Sequence, residues 1–392
     1  MMSEWNHSTI NDVCVLVTDG SHSSPKSVHD GEYMVSVKDF TDYGFDFSSC
    51  RMISHDDYEV LKRNGCVPQI DDILIGKDGA RFFEDIIIYR QREKPALLSS
   101  IAILRCDKSK ILPDFLYYAL RTPSFKQDVK DNYGSGSAIP RIILKDFKRM
   151  MVSYPSLEKQ RSVISVLTAI DSKIQANTEI NDNLQQQAAA LFSSLYDRSN
   201  TEVRFTDLIQ ILGGGTPKTG ENTYWNGNIA FFTPKDVGTP YTLITEKTIS
   251  KEGLSHCNSR LYPVNTVFVT ARGTVGKVGM SGVPMAMNQS CYALVGKETH
   301  QLLVYFYTLK AVDRLKHKAS GAVFDAITTR DFESEQIMKL SDDDATAFLR
   351  VAEPMFQEVL NNNIEILRLS TLRDSLLPKL MSGEIDVSAV QL

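Results

Sequence analysis

No stretch of the 392 residues is apolar over the roughly 20 positions that a membrane-spanning helix requires. Residues 1–10 are polar and carry Glu4 and His7, so no secretory signal is indicated, and the chain reads as cytoplasmic. Cysteine is sparse: the six, at positions 14, 50, 66, 106, 257 and 291, form no Cys-x-x-Cys pair and have no histidines at ligand spacing. Neither a zinc site nor a disulfide framework follows, and the pattern predicts buried thiols.

The common catalytic signatures are missing as well. No Gly-x-x-x-x-Gly-Lys-Ser/Thr phosphate loop occurs; residues 273–277 (Gly-Thr-Val-Gly-Lys) have the wrong spacing and no hydroxyl after Lys277. There is no Gly-x-Ser-x-Gly elbow, no His-Glu-x-x-His, and no Asn/Asp-Pro-Pro-Tyr turn of the kind amino-methyltransferases place beside a target base. A nuclease-like series, Pro113, Asp114, Asp128 and Lys130, falls in a segment of helical periodicity where a nuclease needs a strand hairpin. No catalytic residue, no metal ligand and no cofactor bound by this chain is therefore predicted.

Charge of either sign is also in small excess, at −5 overall. By segment the balance is uneven. Residues 1–155 carry 20 basic and 22 acidic side chains, 156–198 carry 4 and 5, 199–341 carry 15 and 12, and 342–392 carry 4 and 9. The acid excess sits on the last segment, and the two large segments are near neutral, which permits a basic groove on each.

What is present is a duplication. From residue 163 an alternating four-then-three step runs Val163, Leu167, Ile170, Ile174, Asn177, Asn181, Leu184, Ala188, Leu191, Leu195. Adding 185 gives Phe348, Ala352, Met355, Val359, Asn362, Ile366, Leu369, Arg373, Leu376, Leu380. Each series is a narrow coiled-coil stripe, within helices expected over 155–196 and 340–382. A stripe this narrow suits another helix better than a globular core, so the two are expected to pair, with Asn177 and Asn362 setting register.

The segments between also repeat. In the first, strands are expected at 33–38, 73–75, 86–89 and 100–104, and a helix at 114–130. In the second, strands are expected at 229–233 and 266–270; Lys235 and Asp236 match Lys38 and Asp39, and Asp331 and Phe332 match Asp146 and Phe147. Polar, glycine-bearing loops fall at corresponding places: 18–26 with 213–218, 76–81 with 271–277, and 134–141 with 319–324. Their Lys, Arg, Asn, Gln, Ser and Thr side chains are the types that contact phosphates and base edges. The candidate DNA contacts are Ser21, His22, Lys26, Lys38, Lys77, Arg81, Ser135, Ser137 and Arg141 in the first half. In the second they are Thr216, Lys218, Lys235, Arg272, Thr274, Lys277, Asn288, Gln289 and Ser320. Solvated turns share this composition, so recurrence, more than any one loop, carries the assignment.

These residues resemble a known family, the specificity subunit of type I restriction-modification enzymes. The likeness lies in Glu4 and Trp5 with 18–22 (Thr-Asp-Gly-Ser-His), in 155–160 (Pro-Ser-Leu-Glu-Lys-Gln), and in 214–217 (Gly-Gly-Thr-Pro). It extends to 224–227 (Tyr-Trp-Asn-Gly), 233–237 (Thr-Pro-Lys-Asp-Val) and 372–383, covering essentially the whole chain. The second long helix departs from the pattern, beginning at 342–344 with three aspartates and lacking the Glu-x-Gln signature.

The resemblance implies an α+β chain of two similar target recognition domains, 1–154 and 199–340. Each is followed by a spacer helix, 155–198 and 341–392, the pair forming an antiparallel coiled coil with pseudo-twofold symmetry. It implies a non-catalytic reader of a bipartite double-stranded DNA site. The same chain would dock two modification (methyltransferase) subunits, which bring S-adenosylmethionine, and through them restriction (translocase/nuclease) subunits that use ATP and Mg. Helices of about 40 residues, roughly 60 Å long, would set the spacer between half-sites. A scaffold or antagonist that keeps the helices without reading DNA is the alternative, and a self-contained enzyme a third reading that the missing motifs disfavour.

Overall fold

The computed structural model describes residues 5–134, 140–238, 240–318 and 326–387, and divides into two compact units. The first comprises residues 1–172 with 369–392, the second 173–368. Two helices of 41 residues, Leu157–Asp197 and Asp342–Ser382, therefore each contribute to both units. They begin two residues inside the expected starts: the Pro155 carbonyl accepts from the Gln160 side chain (2.9 Å), and Ser341 caps the second by accepting from Asp344 N–H (3.1 Å).

In the first unit an antiparallel sheet runs in the order Cys14–Asp19, Ile101–Cys106, Ile73–Gly76, Ile86–Ile88. Ile73, Leu74 and Ile75 are fully buried, which explains their unbroken apolar run. A smaller sheet sets Glu32–Val35 antiparallel to Arg51–Ile53 and parallel to Ala96–Leu97. The strand expected at 33–38 ends early, since Asp39 accepts from Ser36 N–H (2.7 Å) and folds 37–39 into a 3-10 turn. The helix expected over 114–130 is two, Pro113–Arg121 and Pro123–Asn132. Pro123 has no N–H to continue the first, and Thr122 caps the second by accepting from Phe125 N–H (3.3 Å).

The second unit is built to the same plan. Its main sheet runs Ile209–Gly213, Cys291–Gly296, Val267–Thr270, Val278–Ser281, Tyr241–Thr242. The smaller one sets Trp225–Phe232 antiparallel to Lys247–Ile249 and parallel to Met285–Met287. Asp236 accepts from Thr233 N–H (2.8 Å), reproducing the turn that Asp39 makes in the first unit. Phe147 and Phe332, equivalent in sequence, are both fully buried. Among the described residues no helix is long and apolar enough to cross a membrane, and all six cysteines are free thiols, three buried and three half-buried.

The long helices pair antiparallel inside each unit. In the second, Asn177 Nδ2 donates to Glu365 Oε2 (2.7 Å), Asn362 Nδ2 to Asn181 Oδ1 (2.9 Å), and Arg198 binds Asp344 (2.7 Å). The expected stripe is the buried one. Ile174, Asn177, Val359 and Asn362 are buried, while Ile170, Leu184, Leu191, Met355, Leu369 and Leu376 are half-buried. The partner is not the other helix alone, since the stripe also packs on the domains. Leu184, Leu191, Met355 and Val359 join the second domain's core, and Leu376 joins the first.

Attachment differs between units. In the first, Gln160 is fully buried: its Nε2 donates to Lys110 O and Pro155 O (both 2.9 Å), and its Oε1 accepts from Leu112 N–H (2.8 Å). Tyr118 Oη donates to Asp171 (2.7 Å), and Asp171 also accepts from Arg373 (2.9 Å). Burial opposes the Arg373 charge, but the carboxylates of Asp171 and Asp374 outweigh it and raise its pKa. Arg373 thus fills a stripe position with an ion pair. The second unit uses aromatic packing in place of this network, with Phe192 stacked on Phe306 at 4.9 Å and edge-on to Tyr307 and Phe348 at 5.5 Å.

The asparagine pair makes a testable case. Asn362→Leu alone leaves the buried Asn181 Oδ1 without its donor and is expected to cost about 1–3 kcal/mol; Asn181→Leu with Asn362→Leu removes that acceptor and should recover part of the loss, the half-buried Asn363 Oδ1, which accepts from Asn181 Nδ2 (3.0 Å), being left to solvent. Thermal denaturation of the two variants checks it: a double variant less stable than the single contradicts the pairing.

Candidate nucleic-acid interface

At one end of each main sheet the chain leaves its strands in loops tied together by backbone hydrogen bonds. In the first unit Ser21 N–H donates to Leu97 O (2.7 Å), Lys77 N–H to Ser100 O (2.9 Å), and Ile142 N–H to Lys77 O (3.0 Å). In the second, Gly215 N–H donates to Met287 O (3.1 Å), Ala271 N–H to Ser290 O (2.8 Å), and Ile327 N–H to Ala271 O (2.9 Å). These are the same three bonds at equivalent positions. Two glycines make the closure possible. A Cβ on Gly20 would lie 2.3 Å from Leu97 O, and one on Gly214 2.1 Å from Asn288 O. The loops thus form a preorganised surface, not independent turns.

Side chains on this surface differ between the units. Thr216 Oγ1 donates to Gln289 Oε1, Thr274 Oγ1 to Pro234 O (3.2 Å), and Asn288 Oδ1 accepts from Ser290 N–H (3.0 Å). Lys218, Lys235, Arg272 and Lys277 are exposed around them. Lys235 has a loose contact with Glu246 (3.7 Å), both solvated, and Lys218, Arg272 and Lys277 make no ion pair among the described residues. The second unit therefore presents four cations on one loop cluster.

In the first unit the candidates are less uniform. Lys26 and Lys38 are exposed, and Arg141 is exposed beside Asp78, with which it forms an isolated bridge. Lys77 is not a solvent cation: it is buried, with Nζ 3.2 Å from Asp19 Oδ2. The apolar strand Ile73–Gly76 delivers it into the sheet end, where a lysine is tolerated only with a counter-ion. Arg81 is exposed but bound by Asp85 (2.6 Å), whose hydrogen bond and charge raise the guanidinium pKa. Ser21 is buried, its hydroxyl donating to Ser23 O (2.7 Å) and accepting from Ser23 N–H (3.0 Å), so it shapes the loop. His22 is exposed, 3.3 Å from Asp19 Oδ1. Ser135, Ser137 and Ser320 lie outside the described residues.

Asp19 is the residue that sequence reasoning passed over. It was visible in 18–26, but only the fold shows that it is buried between Lys77 and His22.

The chain can now be set beside known proteins. A family model described as "Type I restriction modification DNA specificity domain" matches residues 2–186 and again 198–339. The HindI specificity subunit of Haemophilus influenzae is 24% identical, over 70% of this chain and 78% of that protein. The MjaIX specificity subunit of Methanocaldococcus jannaschii is 22% identical, over 71% of each. Among solved structures, the type I restriction-modification S subunit of M. genitalium superposes with a TM-score of 0.61 over 96% of both chains at 14% identity, a likeness of fold.

Proposed function

Since this chain belongs to the type I restriction modification DNA specificity family, we propose that each unit reads one half of a split duplex DNA site without catalysing a reaction on it. The observation that carries this is the triplet of hydrogen bonds that builds the same loop surface twice, once at Leu97, Ser100 and Lys77 and once at Met287, Ser290 and Ala271. Exposed Lys, Arg, Asn and Gln on those surfaces are suited to phosphates and base edges. The repeated recipe of a domain, the start of its own long helix and the end of the other offers two equivalent docking places. Two modification subunits would occupy them, bringing S-adenosylmethionine, with restriction subunits supplying ATP and Mg chemistry through them. We place the assembly in the cytoplasm.

The chain co-purified with its modification subunit should select, from random duplexes, a two-part consensus with a fixed gap. Selection of a single uninterrupted motif would contradict the reading, and recovery of no sequence would favour a scaffold that does not read DNA.

A further inference from the structure

We propose that Cys14 and Cys106 are a redox-sensitive site of the first unit, closing to a disulfide by exchange with a low-molecular-weight disulfide such as oxidised glutathione. The two are direct partners across the antiparallel strands Cys14–Asp19 and Ile101–Cys106. Between this rung and the next, which pairs Arg105 with Leu16, the first strand carries one extra residue, Val15. That bulge shifts the in-out alternation. Val15, which would otherwise follow Val17 into the core, is 65% exposed, and Cys14 turns inward in its place. Cys14 and Cys106 therefore meet on one face, against the same apolar core. Just beyond the pair Asp107 N–H donates to Val13 O (2.8 Å), the bond that flanks a rung whose own residues exchange none. Such rungs hold their Cα atoms about 4.5 Å apart, within the roughly 4.4–6.8 Å that a disulfide spans.

The two thiols differ in access. Cys14 is half-buried, whereas Cys106 is 5% exposed, and the neighbouring Cys14 thiol together with burial pushes its pKa up. Cys14 is thus the attacking group. It gives its proton to solvent, and its thiolate breaks the S–S bond of oxidised glutathione, forming a mixed disulfide and releasing one glutathione, which takes up a proton. Cys106 then gives up its proton and attacks the Cys14 sulfur, expelling the second glutathione. Two protein thiols are oxidised and one small disulfide is reduced to two thiols. In the second unit Lys297 N–H donates to Leu208 O (2.9 Å) as Asp107 does to Val13, so the equivalent rung is Ile209 with Gly296. The site is therefore confined to the first unit. Its staple would join the strand that ends at Asp19, in the candidate interface, to the one that leads to Lys110 and Leu112, whose backbone Gln160 holds.

The test incubates the full chain with oxidised glutathione, blocks the remaining thiols without reduction and maps the digest by mass spectrometry. Wild type is expected to yield a linked peptide pair containing Cys14 and Cys106, lost on reduction. Cys106→Ala should stop at the glutathione adduct on Cys14, and Cys14→Ala should leave Cys106 unmodified. Because the link closes a loop of roughly 90 residues, oxidation should raise the melting temperature of wild type by about 5–10 °C, a rise absent from Cys14→Ala. Cys106→Val serves if the alanine variant does not fold. Two free thiols after oxidation, glutathione adducts without the link, a link from either residue to another cysteine, or a lowered melting temperature would each overturn the assignment.

Discussion

Replacing Lys218, Lys235, Arg272 and Lys277 together by glutamate should weaken DNA binding on the order of 10²–10³-fold at physiological salt and flatten its salt dependence. All four side chains are exposed on one loop cluster. Each phosphate left without its cation takes roughly 0.9 from the slope of log affinity against log salt, so the slope should fall by about 3–4. The fold should survive, because none of the four is buried and the loop closure depends on backbone groups. A salt titration of binding by fluorescence anisotropy measures both quantities; an unchanged slope would mean that the cluster does not face phosphates. Lys77 is unsuited to the same experiment. Lys77→Glu would bury a carboxylate against Asp19 and unfold the sheet end, mimicking a binding defect.

Phe192→Ala should be the most destabilising single change in the second unit, at about 3–5 kcal/mol. The ring is 1% exposed and packs on Tyr196, Phe306, Tyr307 and Phe348, joining both long helices to the domain helix Gln301–Lys318. Phe192→Leu keeps most of the volume and should cost less than about 1.5 kcal/mol, as the equivalent position of the first unit is Leu377. Denaturant unfolding followed by circular dichroism ranks the two. A loss of stability for the alanine variant no larger than for the leucine one would show that the aromatic cluster does not anchor the helices.

The long helices and the duplication were legible in the sequence because both rest on periodicity: apolar residues three and four apart, and a constant offset of 185 between the two series. The loop correspondence was legible too, since glycine marks where backbones must touch, as at Gly20 and Gly214. What could not be read was pairing across distance. Lys77 has the composition of a solvated loop cation, and only the strand that carries it inward and the carboxylate waiting there decide otherwise. Arg373 interrupts an apolar stripe, and its partner, Asp171, lies 202 positions away. Gln160 was noted as part of a motif, yet its work of satisfying three backbone groups follows from the fold. The single helix expected over 114–130 failed on a signal that was present, since Pro123 should have divided it.

The claim that the chain reads a split site is tested most directly by mapping DNA methylation in the genome of a host that expresses it with its modification subunit. The account predicts one methylated motif made of two defined half-sites separated by a gap of fixed length and unspecified sequence, absent when the modification subunit is expressed alone. Methylation without a two-part motif, or the same motif without this chain, would contradict it.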